Sequence, residues 1–162
     1  MTPTLQLLKR LNDAGVEYVV IGGVAAVLHG AELTTKDVDI CTPLQGANLK
    51  CIFNAVDPLN PRVRMRPDLM KVPEHVWQMP DLKNLYLLTD LGIIDMLGDV
   101  PGVGDYNQVR EHSEPADFGE GVAGRLLSLD ALILAKRAAG RPKDLEHLRN
   151  LEVVRNEKKG SP

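Results

Sequence analysis

Two aspartates and two glycines early in the chain have the residue types and spacing to do chemistry. Asp37 and Asp39 lie two residues apart in the run DVDIC, which predicts a strand with both carboxylates on one face. Two like charges this close repel each other, so a buried pair is stabilised by a shared proton or a bound cation. Because Mg²⁺ prefers a few carboxylate oxygens supplemented by phosphate oxygens, the pair predicts a site for Mg²⁺ or Mn²⁺.

Gly22 and Gly23 would supply the other half of such a site. They follow a β-branched run at residues 16–21 and precede an apolar run at 24–28, a pattern that predicts strand, turn and buried helix. Without Cβ atoms the backbone can approach an anion closely, and the first N–H groups of a helix are unpaired. We expect the phosphates of an NTP at this turn, with Lys36 as a further contact. A ligand-free turn and a solvated lysine are the alternatives.

The spacing of the aspartates is not specific by itself. With 22 acidic residues in 162, about three acid-x-acid pairs are expected by chance. Asp144 and Glu146 form another such pair, which we interpret as helix surface. The full pattern of apolar strand, Gly-Gly, thirteen residues and Asp-Val-Asp-Ile is much rarer, and it carries the hypothesis.

This pattern resembles the nucleotidyltransferase superfamily, which includes polymerase beta, poly(A) polymerases and small bacterial enzymes of toxin–antitoxin systems. The resemblance lies in Ile21-Gly22-Gly23 and Asp37-Val38-Asp39. It implies a third carboxylate on a later strand, for which Asp95 in GIIDML is the best candidate. The resemblance then implies that Asp37, Asp39 and Asp95 are catalytic metal ligands. The alternative for Asp95 is a strand residue that faces water.

A second resemblance lies near the C-terminus, in the run KRAAGRPKD at residues 136–144. It is similar to a signature of the AbiEii-type toxin nucleotidyltransferases and their uncharacterised relatives. It implies that Lys136 and Asp144 help to bind the nucleotide. Those relatives often carry another acid three residues later, where this chain has His147. The alternative is that both residues simply satisfy helix ends.

The remaining elements predict an α/β (α+β) fold with a mixed nucleotidyltransferase sheet, flanking helices and two C-terminal helices. Residues 1–127 would form the core, 128–156 a helical pair packed on it, and 157–162 a polar tail. We expect a helix starting at Thr42-Pro43, hairpins at 85–97 and 116–127, and a last helix from Pro142 with an apolar stripe. That stripe comprises Leu145, Leu148, Leu151 and Val154. Residues 58–84 show no clear period, although Arg62, Arg64 and Arg66 alternate as on one face of an extended segment.

Composition limits the class of protein. Hydrophobic residues make up 44% and charged residues 25%, as in a soluble globular protein, and the net charge of −3 argues against holding duplex nucleic acid by bulk charge. Neither a signal peptide nor an apolar run of membrane-spanning length is present, and the two cysteines do not form a disulfide framework. We therefore expect a cytoplasmic protein without a membrane partner.

The resemblance implies metal-dependent transfer of an NMP from an NTP to a hydroxyl acceptor. The acceptor would be an RNA or tRNA end, or a partner protein, and a cognate toxin or antitoxin would be a further partner. One alternative is a non-catalytic antitoxin or interaction protein that retains the fold. An antibiotic adenylyltransferase ranks last, because such enzymes usually carry a larger helical domain. The choice of NTP and acceptor and the oligomeric state stay open.

Overall fold

The computed structural model describes residues 1–66, 68 and 70–160. The described chain contains nine strands and six α-helices. The strands are β1 (Val19–Ile21), β2 (Val38–Cys41), β3 (Arg62–Val63), β4 (Asn84–Thr89), β5 (Gly92–Leu97), β6 (Asp99–Val100), β7 (Gly104–Asp105), β8 (Ser113–Gly119) and β9 (Val122–Leu127). The helices are α1 (Pro3–Asp13), α2 (Gly22–Leu28), α3 (Gly46–Val56), α4 (Tyr106–Glu111), α5 (Leu129–Ala139) and α6 (Pro142–Gly160).

Seven of these strands form one mixed sheet in the order β3-β4-β5-β2-β1-β9-β8. The hairpins β4/β5 and β8/β9 are antiparallel, and β1 is antiparallel to β2. The pairs β2/β5 and β1/β9 are parallel. The α/β prediction with a mixed sheet, and both predicted hairpins, are therefore confirmed.

The two faces of the sheet differ in character. Val38 and Ile40 of β2, and Ile94 and Met96 of β5, have no solvent exposure and belong to the aliphatic core. The alternate positions point the other way, because successive residues of a strand face opposite sides, and they include the partly exposed Asp39 and Asp95. We call the side that carries Asp39, Asp95 and Tyr86 the open face.

Helix ends follow local sequence rules in most places. Thr2 Oγ1 accepts a hydrogen bond from Leu5 N at 3.2 Å, and Ser128 Oγ accepts one from Ala131 N at 3.2 Å. Gly140 ends α5 in the left-handed conformation, with φ +64°. Thr2 and Ser128 therefore cap the starts of α1 and α5, and Gly140 caps the end of α5.

The predicted start of the third helix was wrong. α3 begins at Gly46, because Thr42 is engaged elsewhere. Its hydroxyl donates to Glu17 O at 2.6 Å and accepts from Asn48 Nδ2 at 2.9 Å. Thr42 therefore ties the end of β2 to the start of β1 instead of capping a helix.

The three alternating arginines do not share one face of an extended segment. β3 ends at Val63 and the chain turns at once, so the guanidinium groups separate. Arg62 lies 3.6 Å from Asp90, and Arg66 lies 3.4 Å from Asp68. Arg64 turns inward to the open face.

The last helix starts at Pro142 as predicted but runs through Gly160, into the predicted polar tail. Its inward side also differs from the predicted stripe. Leu151 and Val154 are buried, but Leu145 is 48% exposed and Asp144 is buried in its place. In the described part of the chain, no helix combines the length and apolar character needed to cross a membrane.

Candidate functional site

The sheet brings the predicted carboxylates together on its open face. Asp39 on β2 is the direct register partner of Asp95 on the parallel neighbour β5. On its other side Asp39 pairs with Ile21, the residue immediately before the two glycines. Asp37 immediately precedes β2 and shares its side-chain direction with Asp39. The structure thus gathers Asp37, Asp39, Asp95 and the glycine turn at one place.

Gly22 is required by the close approach of Asp39. Its φ is +66°, and a Cβ added there would lie 2.8 Å from the Asp39 Cβ. A Cβ on Gly23 would lie 2.7 Å from Thr35 Oγ1. Real Cβ atoms do not approach so closely, so the two glycines let the loop and strand of the aspartates pack against the start of α2. No side chain caps that helix start.

The electrostatics of Asp39 reflect crowding of negative charge. Burial raises the pKa of Asp39, and the charges of Asp95 and Asp37 raise it further, while Lys136 and Lys143 lower it. The net result is a pKa of about 6, against a usual 3.8. At neutral pH Asp39 is therefore still mostly ionised, and a bound cation would relieve the unfavourable negative charge.

Arg64 neutralises the third carboxylate. Its Nε and Nη2 donate to the two oxygens of Asp95 at 3.0 and 2.7 Å, a bidentate pair. The guanidinium also lies 5.4 Å from the centre of the Tyr86 ring. Burial still raises the pKa of Asp95 above its usual value, although the hydrogen bonds and charge of Arg64 oppose this.

The two residues of the C-terminal signature contact each other. Lys136 Nζ lies 3.2 Å from Asp144 Oδ1, and Arg141 Nε donates to Asp144 Oδ2 at 2.6 Å. Asp144 is 1% exposed and Lys136 is 9% exposed. Burial raises the pKa of Asp144, but its hydrogen bonds to Arg141 and Lys136 outweigh this and lower it to about 2. Asp144 is therefore ionised at neutral pH and holds two cations, both of which interact electrostatically with Asp39.

Three cations near the carboxylates escaped the sequence analysis. Arg64 was one of three alternating arginines, and only the fold selects it. Arg141 and Lys143 lie inside the signature run at 136–144, but they had no predicted role. The charge of Lys143 lowers the pKa of Asp39, and the charge of Asp39 in turn raises the pKa of Arg141. Dense positive charge immediately before Asp144 was the available signal.

Lys36 is exposed beside Asp37, and its contact with a phosphate stays a prediction.

The residues fit a divalent cation through two carboxylates rather than a complete protein cage. Across the described residues, no three Asp, Glu, His or Cys side chains already converge as metal ligands. Arg64 donates to both oxygens of Asp95. Mg²⁺ commonly binds one or two carboxylates plus substrate phosphates. Asp37 and Asp39 can provide the two carboxylates. The raised pKa of Asp39 marks the negative charge that such a cation would relieve.

Among the solved structures that share this architecture are two nucleotidyltransferases. The first is a candidate nucleotidyltransferase from Thermotoga maritima, which has a TM-score of 0.57 and 21% identity over 88% of this chain and 86% of its own. The second is the antibiotic-resistance factor ANT(2'')-Ia, an aminoglycoside nucleotidyltransferase. It has a TM-score of 0.54 and 17% identity over 97% of this chain and 90% of its own.

The chain shares the fold of these two nucleotidyltransferases. The predicted fold is thereby confirmed. No family model and no curated protein matches the sequence. The similarity to AbiEii-type enzymes therefore rests on the signature residues alone. The match to nearly the whole of ANT(2'')-Ia also removes the size argument against an antibiotic-modifying enzyme.

Proposed function

We propose that this protein is a metal-dependent nucleotidyltransferase that moves an NMP from an NTP to a hydroxyl acceptor. The observation that supports this most strongly is the convergence of Asp37, Asp39 and Asp95 beside the glycine turn on the open face. The nucleotidyltransferase fold supports the same class of reaction. In this proposal Asp37 and Asp39 hold Mg²⁺ or Mn²⁺, and Asp95 completes the carboxylate set.

The chain's own residues have distinct proposed roles in binding the NTP. The backbone N–H groups at Gly22 and Gly23 would bind the phosphates, since no side chain caps the start of α2. Lys36 and Lys136 offset the negative charge of the triphosphate, and Asp144 positions Lys136 through their 3.2 Å ion pair. When bound, the metal ion would neutralise phosphate charge and align the acceptor with the α-phosphorus.

The transfer itself forms one bond and breaks another. The acceptor oxygen attacks the α-phosphorus, the bond to the oxygen bridging the α- and β-phosphates breaks, and pyrophosphate leaves. The hydroxyl proton passes to Asp95, whose raised pKa suits a proton acceptor. Arg64 must first release Asp95, and the incoming triphosphate offers a competing anion for its guanidinium. Arg64 would thus move from carboxylate to phosphate as the NTP binds.

The acceptor remains the open part of this proposal. An RNA or tRNA end and a hydroxyl of a partner protein both fit the reaction, and the AbiEii-like signature favours a toxin–antitoxin setting in the cytoplasm. The likeness to ANT(2'')-Ia adds a third acceptor class, a small aminoglycoside-like molecule. All three would use the same carboxylates.

A second candidate function is a non-catalytic interaction protein, such as an antitoxin. The observation that favours it is the bidentate pair between Arg64 and Asp95, which occupies the third carboxylate. If Arg64 never released Asp95, the protein would keep its fold but would not catalyse nucleotidyl transfer.

The experiment that tests the proposal is label transfer from each α-labelled NTP, with Mg²⁺ or Mn²⁺, to total RNA, lysate proteins and small molecules. Asp39→Asn is the inactive comparison, because asparagine keeps the shape of the side chain and removes its charge. Asp130→Asn, an exposed aspartate at the start of α5, is the matched control. We expect label on one acceptor class with the wild type and the control, and none with Asp39→Asn. A folded wild type that binds neither metal nor NTP would refute the enzyme and leave the interaction protein.

A further inference from the structure

A cleft of about 960 Å³ lies along the open face of the sheet. Its floor includes Asn84 and Tyr86 of β4 and Leu97 of β5, and the start of α4 contributes to its lining. None of these residues was singled out by the sequence. The volume suits a molecule of two or three sugar rings rather than a single small ion.

The cleft begins where the carboxylate site ends. Tyr86, on its floor, is the direct cross-strand partner of Asp95. Leu97, also on its floor, lies two positions beyond Asp95 on the same face of β5, and Asn84 pairs with it. Two residues of a strand span about 7 Å. An occupant of the cleft would therefore place one end beside Asp95, where the acceptor hydroxyl must be.

The lining of the cleft is acidic. Its acids are Glu17, Asp81, Asp99 and Asp105, and its bases are Lys83 and Arg110. Four acids against two bases leave an excess of two negative charges among the described lining residues. All six belong to exposed residues, and Asp105 also accepts a hydrogen bond from Gln108 N at the start of α4.

At the carboxylate site, by contrast, cations accompany the aspartates. The charges of Arg64, Lys136 and Lys143 all act on Asp39 or Asp95. The open face thus has one end where cations offset the aspartates and could receive a triphosphate, and beside it a cleft with an excess of acids. A polyanionic acceptor such as RNA would be repelled from the acidic end, whereas a cation would be attracted.

We propose that this cleft is the acceptor site, and that its occupant is a small cationic polyol of the amino-sugar class. This inference rests on the proposed transferase function and names its acceptor. Ammonium groups would pair with the cleft acids, and the Tyr86 ring offers a flat apolar surface for a sugar ring. A hydroxyl at the inner end would reach the α-phosphorus beside Asp95, where it would lose its proton and displace pyrophosphate.

The test measures equilibrium binding to the full-length protein before any transfer assay. The probes are tobramycin, a polycationic amino sugar, maltotriose, a neutral sugar of similar size, and a short oligoribonucleotide. The variant Asp81→Asn/Asp99→Asn removes two cleft charges without changing side-chain shape, and Asp130→Asn is the control outside the cleft. Binding of an ATP analogue with Mn²⁺ to each variant shows that the other half of the site is intact.

We expect tobramycin to bind, maltotriose and RNA to bind at least tenfold more weakly, and binding to weaken as salt rises. The double variant should weaken tobramycin binding about fivefold to tenfold, since exposed ion pairs contribute modestly, and should leave binding of the ATP analogue unchanged. Label transfer to tobramycin should fall in parallel.

The two levels of the proposal fail in different ways. Label transfer to RNA or protein with no tobramycin binding would overturn the amino-sugar acceptor and leave the transferase standing. Tobramycin binding that the double variant does not weaken would overturn the placement of the acceptor in this cleft. Charge-dependent tobramycin binding without transfer to any acceptor would support the cleft and overturn the transferase.

Discussion

Replacing Asp39 by asparagine should stabilise the metal-free protein at neutral pH. In the folded protein burial and the neighbouring charges of Asp95 and Asp37 raise the pKa of Asp39 to about 6. The folded state therefore binds the Asp39 proton more tightly than the unfolded state does. This tighter proton binding stabilises the folded state. The stabilisation is complete below pH 4 and is lost as the pH rises through 6.

The magnitude follows from the size of this shift. A pKa of about 6 against the usual 3.8 corresponds to about 3 kcal/mol, at about 1.4 kcal/mol for each pKa unit. Since Asp39 is only half-buried and solvent screens part of the effect, we expect about 2 kcal/mol. Asparagine has nearly the same shape, so it fits against Gly22 and carries no charge to penalise. For a chain of this length the gain in Tm is about 4–8 °C.

The assay is urea or thermal unfolding of wild type and Asp39→Asn in EDTA, from pH 4 to pH 8. The stability difference should be small at pH 4, grow through pH 6 and level off above it. Asp130→Asn should follow the wild type throughout. Addition of Mn²⁺ at pH 7.5 should raise the Tm of the wild type more than that of Asp39→Asn, because binding to the folded state stabilises it. A variant equally or less stable than wild type at pH 7.5 would refute the crowded, buried charge inferred for Asp39.

Three further changes test the rest of the site. Arg64→Ala should strengthen Mn²⁺ binding to the NTP-free protein about fivefold, because Asp95 loses its bidentate cation; titration of Mn²⁺ by calorimetry measures this. Gly22→Ala should displace Asp39 and lower the free energy of unfolding in urea by about 2 kcal/mol or more. The control Gly15→Ala is also at positive φ but has open space around it, so it should lower the same free energy by about 1 kcal/mol. Asp144→Ala should cost about 3–5 kcal/mol, since two cations lose a buried partner.

Each of these has a result that would contradict it. Unchanged or weaker Mn²⁺ affinity in Arg64→Ala would show that Asp95 does not compete for the metal. Equal losses in the two glycine variants would mean that backbone strain alone, and not contact with Asp39, explains Gly22. If Asp144→Ala unfolded at the same urea concentration as wild type, the ion pairs at Asp144 would not contribute to folding.

Much of the local structure was predictable because it depends on a few consecutive residues. The caps at Thr2 and Ser128 and the break at Gly140 follow from side-chain hydrogen bonding and left-handed backbone geometry. The failure at Thr42 has the same physical basis. Its hydroxyl donates to Glu17 O, two residues before β1, and no local rule specifies that distant partner.

The sequence by itself determined the two aspartates on one strand face and the glycine turn before them, since strand periodicity and the absence of Cβ are local properties. Only the tertiary structure decided that Asp95 sits beside Asp39, because register between parallel strands depends on packing across the whole sheet. The pairing of Arg64 with Asp95, 31 residues away, has the same origin. The acidic cleft also depends on the tertiary structure, because its lining comes from segments spread from Glu17 to Arg110. Charges distant in sequence become one electrostatic site only when the sheet fixes their separation.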